Sequence, residues 1–332
     1  ANKGALLSLN DHRTDPAYIG FQENVWKALK DELTYKGNLY AIPIWTNTIG
    51  IFYNKGLFDK AGVAYPTKDW TFNDLLKKAK LLTIRGKNGR IEQYGFGGFP
   101  LSLDPWNLDM LINSFGGELY SKDMRKCLIE TPQSIAAVKW AVGLVNKYHV
   151  APKPSEVSAG KAVVSASGTD LFQMGKVAMV YWGRWYLAML SKRPDLKWAV
   201  APYPRGKRKV MYQAPVYLGI SSSTKFPEAS WKFIKFVVSK AGQKMLATYR
   251  TEIPVLRSVA NTPEFLNYAG REDANRVFLG MLDYAEVPHY LPGQGEWLAF
   301  AKMKLELALL GKISVEEAGK EIARKYDQSM VR

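Results

Sequence analysis

Apolar residues recur along this chain in two alternating rhythms, short continuous runs and longer stretches spaced at helical intervals. Tyr40–Trp45, Ile49–Tyr53, Val177–Trp182, Lys197–Ala201 and Val216–Ile220 are short runs rich in β-branched and aromatic residues, the mark of buried strands. Between them lie helical patterns with recognisable starts. Thr71 reads as an N-cap with Asp74 three residues on, ahead of apolar positions at Phe72, Leu75, Leu76, Ala79 and Leu82. Thr131 and Pro132 open a second helix, with Ile135, Val138, Val142 and Val145 on one face. Pro227 opens a third, predicted to bury Phe233, Phe236 and Val237, and Ser314 with Glu317 forms a capping-box pattern before Ala318 and Ile322. Alternating strands and helices predict α/β layers. No internal repeat, low-complexity tract or flexible linker interrupts them.

A chain of 332 residues exceeds what one core usually supports, so two domains are expected. A polar, Pro/Gly-rich connector usually marks a single junction. Its absence turns attention to the strand-like runs Trp45–Ile51 and Ala214–Gly219 as the places where the chain passes between domains. No apolar run approaches the ~20 residues that span a bilayer. The first residues carry no long apolar segment of a secretion signal. The single cysteine, Cys127, rules out an intramolecular disulfide and reads as a small, half-buried filler.

Charge changes the picture little. The net charge of +16 invites a nucleic-acid partner, but the basic residues are dispersed and the densest cluster, Arg205–Lys209, is a short loop without a recognition motif. A solvated basic surface is the simpler reading, compatible with an anionic envelope or an acidic ligand.

The search for chemistry finds no catalytic constellation. The histidines His12, His149 and His289 lack metal-ligand spacing, and no metal site or cofactor is expected. His149 reads as a cap beyond a helix end. No nucleophile elbow, phosphate loop or dinucleotide fingerprint occurs, and Gly95–Gly98 reads as a turn. A carboxylate pair for glycoside hydrolysis stays open, because its members can lie far apart in sequence. Binding fits better. With 10 Trp, 18 Tyr and 14 Phe, several aromatics stand beside small polar residues at loop positions. A sugar presents an apolar C–H face to an aromatic plane and a ring of hydroxyls to amides, carboxylates and guanidinium groups.

Three stretches, Leu39–Lys55, Met179–Trp185 and Ser221–Ile234, resemble in this order the sugar-binding family of ABC-importer solute-binding proteins that includes maltose-binding protein, and the resemblance runs from about Gly4 to Arg332. It implies a two-lobed α/β fold, the type II periplasmic-binding-protein fold with multiple hinge crossings. Residues 1–46 would form part of an N-terminal lobe and 47–214 a C-terminal lobe. Residues 215–275 would return to the first lobe, and 276–332 would supply closing helices to the second. The family's first strand and helix units have no counterpart before Gly4–Leu9, so the N-terminal lobe is expected to be incomplete and the chain to be part of a longer protein.

The resemblance further implies capture of a mono- or oligosaccharide in the interlobe cleft by a monomer and its delivery to a membrane ABC permease. It implies neither covalent chemistry nor nucleic acid, and a periplasmic or lipid-anchored location. By the family pattern Trp45 packs or stacks and Asn47 bonds a hydroxyl, Asp104 and Trp106 open a sugar-stacking helix, and Trp182, Arg184 and Trp185 form the strongest candidate site. Trp185 would be the stacking platform, and Arg184 would meet an acidic sugar or a carboxylate of the lobe. Tyr217, Glu296 and Trp297 complete the set. Packing remains the alternative for Trp45, Trp106 and Trp297. Trp70, Trp140, Trp198 and Trp231 are expected in the core. A polyol, a peptide or a carbohydrate-active enzyme are the competing readings.

Overall fold

A computed structural model of the chain describes residues 4–31, 34–98, 105–153, 168–249, 252–288 and 294–330. Six strands make the two main sheets: β1 (Ala41–Thr46), β2 (Ile49–Asn54), β3 (Met179–Gly183), β4 (Trp198–Ala201), β5 (Val216–Gly219) and β6 (Ile253–Pro254). The principal helices are α1 (Pro16–Asn24), α2 (Phe72–Leu82), α3 (Pro105–Ser114), α4 (Pro132–Asn146), α5 (Pro227–Val238), α6 (Glu272–Leu282), α7 (Gly295–Leu309) and α8 (Val315–Met330).

The chain divides into two compact units, each assembled from three separate stretches. The first holds Ala1–Ile49, Gly183–Lys192 and Met211–His289; the second holds Gly50–Trp182, Arg193–Val210 and Tyr290–Arg332. Relative to the division expected from sequence, residues 183–192 visit the first unit, and 276–289 stay with it instead of joining the closing helices.

In the first unit the sheet order is β6-β1-β5. Both pairings are antiparallel, with Ile253 opposite Thr46, Pro254 opposite Trp45 and Pro43 opposite Tyr217, and the register shifts between Pro43 and Trp45. Ile42 and Ile44 are buried on the central strand beneath Trp231, Ile234 and Val238 of α5. This corrects the face predicted for α5: Phe233 and Phe236 are 59% and 50% exposed, and it is the stripe of Trp231, Ile234 and Val238 that packs inward. Gln243 locks the layer, its amide donating to Ile44 O (2.8 Å) and its carbonyl accepting Val255 N (2.9 Å).

The second unit is built on the sheet β3-β2-β4. Every residue of β2 is buried, which explains its uninterrupted apolar run. β2 pairs antiparallel with β4, Ile51 opposite Ala201 and Asn54 opposite Trp198. Asn54 then changes role and caps the helix Lys55–Ala61 by accepting Leu57 N. Helices α4, α7 and α8 form a helical layer in which Asn146 Nδ2 donates to Leu309 O (2.7 Å) and Lys304 pairs with Glu321. Cys127 is buried here, and desolvation pushes its thiol up to about 12, so it stays a neutral filler.

The start of α2 is a full capping box. Thr71 Oγ1 accepts Asp74 N (3.2 Å), while the Asp74 carboxylate accepts the Thr71 N–H (2.8 Å) and hydroxyl (2.7 Å). Those bonds to Thr71 hold the Asp74 carboxyl below its ordinary range. Because the folded value is the lower one, this stabilisation is present above the ordinary carboxylate pKa and is lost as pH falls through the folded value. Thr71→Ala should therefore cost about 1 kcal/mol at pH 7 and less in acid, read from urea midpoints at both pH values. An equal cost at both would show that the carboxylate takes no part.

Candidate functional site

The candidate residues of the first unit gather where its three stretches meet. At the end of β1, Thr46, Asn47 and Thr48 are all buried, an unusual run of polar side chains inside an apolar layer. Thr46 Oγ1 donates to Gln213 Oε1 (3.1 Å), and Ala214 N donates to Asn47 O (2.8 Å), joining the first stretch to the third. Arg184 N lies 3.4 Å from Thr48 O, which joins the second stretch to the same corner. Thr48 Oγ1 donates to Phe278 O (3.0 Å) and ties the corner to α6.

Two side-chain atoms at this corner are left over. Asn47 Oδ1 and Gln213 Nε2 are buried and have no hydrogen-bond partner among the described residues. One is an acceptor and the other a donor, and each leaves about 1–3 kcal/mol of desolvation uncompensated. Three half-buried aromatics lie near them in chain or sheet. Trp45 is on β1, Tyr217 is on β5 opposite Pro43, and Trp185 follows β3. Trp185 folds back over the backbone of Gly183, where an added Cβ would sit 2.1 Å from the indole ring. Glycine at this position is a requirement of the indole's placement, not of backbone angle, since its φ is −81°.

Arg184, expected to meet an acidic sugar or a carboxylate of the lobe, has Glu252 of its own unit acting on its charge. It is fully buried within the first unit and directed inward. Its Nε donates to Asn275 Oδ1 (2.8 Å), and its guanidinium lies over the rings of Phe265 (4.1 Å) and Tyr268 (5.3 Å). Desolvation pulls it down to about 9, against the raising influence of Tyr268 and Glu252, and at neutral pH it remains a cation. Asn275 is itself held by Leu266 O (2.8 Å) and Tyr268 O (3.2 Å). This arginine ties the turn that carries Trp185 to Asn275 and to the rings of Phe265 and Tyr268.

Trp297 is a correction. It is a core residue of the second unit, packed against Tyr120 and Tyr326 with centroids at 5.8 and 5.0 Å, and its indole N–H donates to Ile322 O (3.1 Å). No ring face is left for stacking. Its neighbour Glu296 is exposed and paired with Lys325 at 2.8 Å. Trp182 is half-buried at the end of β3. Asp104 lies outside the described residues, as does the side chain of Trp106, whose backbone lies in α3. Thr46, Thr48, Gln213 and Asn275 went unnoticed in the sequence; the available signal was polar residues embedded in apolar runs. Among the described residues no cluster of His, Cys, Asp or Glu could hold a metal ion, and no helix is long and apolar enough to cross a membrane.

Two variants test this geometry. Gly183→Ala should displace the Trp185 indole and shift the tryptophan emission; an unaltered spectrum would mean that the ring does not rest on Gly183. Asn275→Ala strands a buried cation and should cost about 3 kcal/mol in urea unfolding. Arg184→Met, which removes the charge as well, should cost less, and the reverse order would contradict the assigned support.

With this geometry in place, the chain was compared with known proteins. A family model described as bacterial extracellular solute-binding protein matches residues 1–272. A putative binding protein of Brucella abortus is 26% identical over 298 residues, covering 88% of this chain and 68% of its own. The maltotriose-binding protein of Pyrococcus abyssi is 26% identical over 274 residues, covering 80% and 54%. An ABC substrate-binding protein from Listeria monocytogenes, solved in complex with cycloalternan, matches with a TM-score of 0.88 at 26% identity, over 99% of this chain and 81% of that one. Maltose-bound MalE3 of T. maritima matches at 0.79 and 22% identity over 97% and 80%, a likeness of fold. The fold is that of the type II periplasmic binding proteins.

Proposed function

We propose, starting from the fact that the chain belongs to the family of bacterial extracellular solute-binding proteins, that it captures a mono- or oligosaccharide and delivers it to an ABC permease. The observation that carries this reading is the corner of the first unit where Asn47 Oδ1 and Gln213 Nε2 are buried and unbonded among the described residues, on segments that also carry the half-buried Trp45, Trp185 and Tyr217. An acceptor, a donor and aromatic planes are the groups that a sugar's hydroxyls and C–H faces require. The relatives support a carbohydrate, since one is a maltotriose-binding protein and another was solved with cycloalternan.

Binding here is non-covalent, and the protein acts as a monomer, free in the periplasm or held by lipid on the outer face of the membrane. Hinge closure is typical of periplasmic binding proteins, and the chain's repeated passage between its units suits it.

Calorimetric titration with maltotriose, isomaltotriose and mannotriose tests the reading. Saturable binding to at least one is expected, with the sugar recovered intact. Trp185→Ala should weaken it by about 1–3 kcal/mol, the scale of a lost aromatic contact, with circular dichroism unchanged. Unchanged affinity would remove Trp185 from the site, and cleaved sugar would point to an enzyme.

A further inference from the structure

The second unit carries a concavity lined by none of the residues assigned to the sugar. It has a volume of about 410 Å³ and is rimmed by Arg85, Arg90, His149 and Lys153, with no acidic side chain in its lining. Its floor is apolar: Val145 and Ala151 are buried, and Ile91 is half-buried.

The backbone explains why the charges converge. Arg85 and Arg90 flank one tight turn of the hairpin Ile84–Arg85 and Ile91–Gln93, closed by Gly86 N to Arg90 O (2.8 Å) and Gly89 N to Gly86 O (2.9 Å). Arg85 is the cross-strand partner of Ile91, so both point to the same face. Glu92 points to the other face, against Gly86, and leaves the arginines unneutralised. Among the described residues the side chains of Arg85, Arg90 and His149 have neither an ion-pair nor a hydrogen-bond partner. His149 reaches the rim from a left-handed backbone, φ +53°, just past α4. For a non-glycine residue that conformation is uncommon and strained. Its sequence reading as a helix cap leaves the imidazole's place on this rim unexplained.

We infer that this concavity binds a small organic phosphate, a phosphomonoester whose anionic head meets Arg85, Arg90 and Lys153 while its body rests on Ile91, Val145 and Ala151. Two guanidinium forks and an ammonium suit a dianion with several acceptor oxygens better than a single carboxylate. The volume exceeds that of a bare oxyanion and falls in the range of small-molecule sites. The apolar floor supplies a surface for the remainder of the molecule.

The test is calorimetry at low salt on the full chain, with glucose 6-phosphate, inorganic phosphate, and vesicles of phosphatidylglycerol or phosphatidylcholine as probes. Glucose 6-phosphate should bind saturably at one site per chain and more tightly than inorganic phosphate, with affinity falling as salt rises. Arg85→Ala with Arg90→Ala should weaken it at least tenfold. Lys77→Ala with Lys122→Ala, which removes two charges elsewhere in the same unit, should leave it unchanged. Should the arginine pair of substitutions lower the melting temperature, Lys153→Ala alone serves, with a severalfold loss expected. Absence of saturable binding, equal losses in the two double variants, or binding confined to phosphatidylglycerol vesicles would overturn the inference. A tighter grip on inorganic phosphate than on the ester would overturn the role of the apolar floor.

Discussion

The first unit depends on a constraint of connectivity: it is made from three stretches of chain that leave and return, and something must hold their ends in register. The corner Thr46–Asn47–Thr48 does this. Thr46 reaches Gln213, the Asn47 carbonyl takes Ala214 N, the Thr48 carbonyl faces Arg184 N, and the Thr48 hydroxyl reaches Phe278. Apolar contacts could bury the same area, but they are non-directional. Hydrogen bonds in a dry setting fix register, because any slip leaves donors and acceptors unpaired at about 1–3 kcal/mol each. The polar run inside an apolar layer is thus an assembly device first.

The same device leaves two atoms to spare. An interior that satisfies Thr46 and Thr48 yet leaves Asn47 Oδ1 and Gln213 Nε2 unbonded departs from the rule that buried polar groups are paired. Arg184 shows the contrast. Its burial is costly as well, but Asn275 and two aromatic faces are built around it. Support of that kind suits a positioning role, and Asn47 Oδ1 and Gln213 Nε2 have no such partner among the described residues.

Much of the scaffold was legible in the sequence because local physics sets it. The strand runs match β1–β5 to within two residues at either end, and the Thr71 and Ser314 caps form as their patterns require. The errors lie where tertiary context decides between equivalent local patterns. Helix α5 carries two apolar stripes, Phe233 with Phe236 and Trp231 with Ile234 and Val238; either could have faced the core. Trp297 was given a stacking role on the family pattern, with packing as the alternative, and packing is what the structure shows. Its spacing to Ala301, Leu305 and Ala308, all buried, already described a core stripe of α7. Arg184 was expected to meet an acidic sugar or a carboxylate of the lobe, and the asparagine that supports it, 91 residues away, was not foreseen. Pairings of that separation leave no mark in local pattern, nor did the short strand β6.

The resolved shifts of the carboxyl groups run opposite to the one that glycoside hydrolysis asks of its acid. A glycoside hydrolase needs one carboxyl that keeps its proton near neutral pH, and burial or a neighbouring anion supplies the upward shift. Among the described residues the carboxyls with a resolved shift all move downward. Asp74 is held by Thr71, Asp123 by Ser121, Asp195 by Arg193, Asp273 by Arg271 and Glu316 by Lys139. Each is committed to a cap, a turn or an ion pair and is ionised across the neutral range. The groups whose values rise are tyrosines and Cys127, most of them lifted chiefly by desolvation, while Tyr65 is lifted by its hydrogen bond to Asp59. They hold their protons too firmly to give them up to a leaving group at neutral pH. The corner of the first unit presents amide groups and aromatic planes, the groups on which the proposed sugar binding rests.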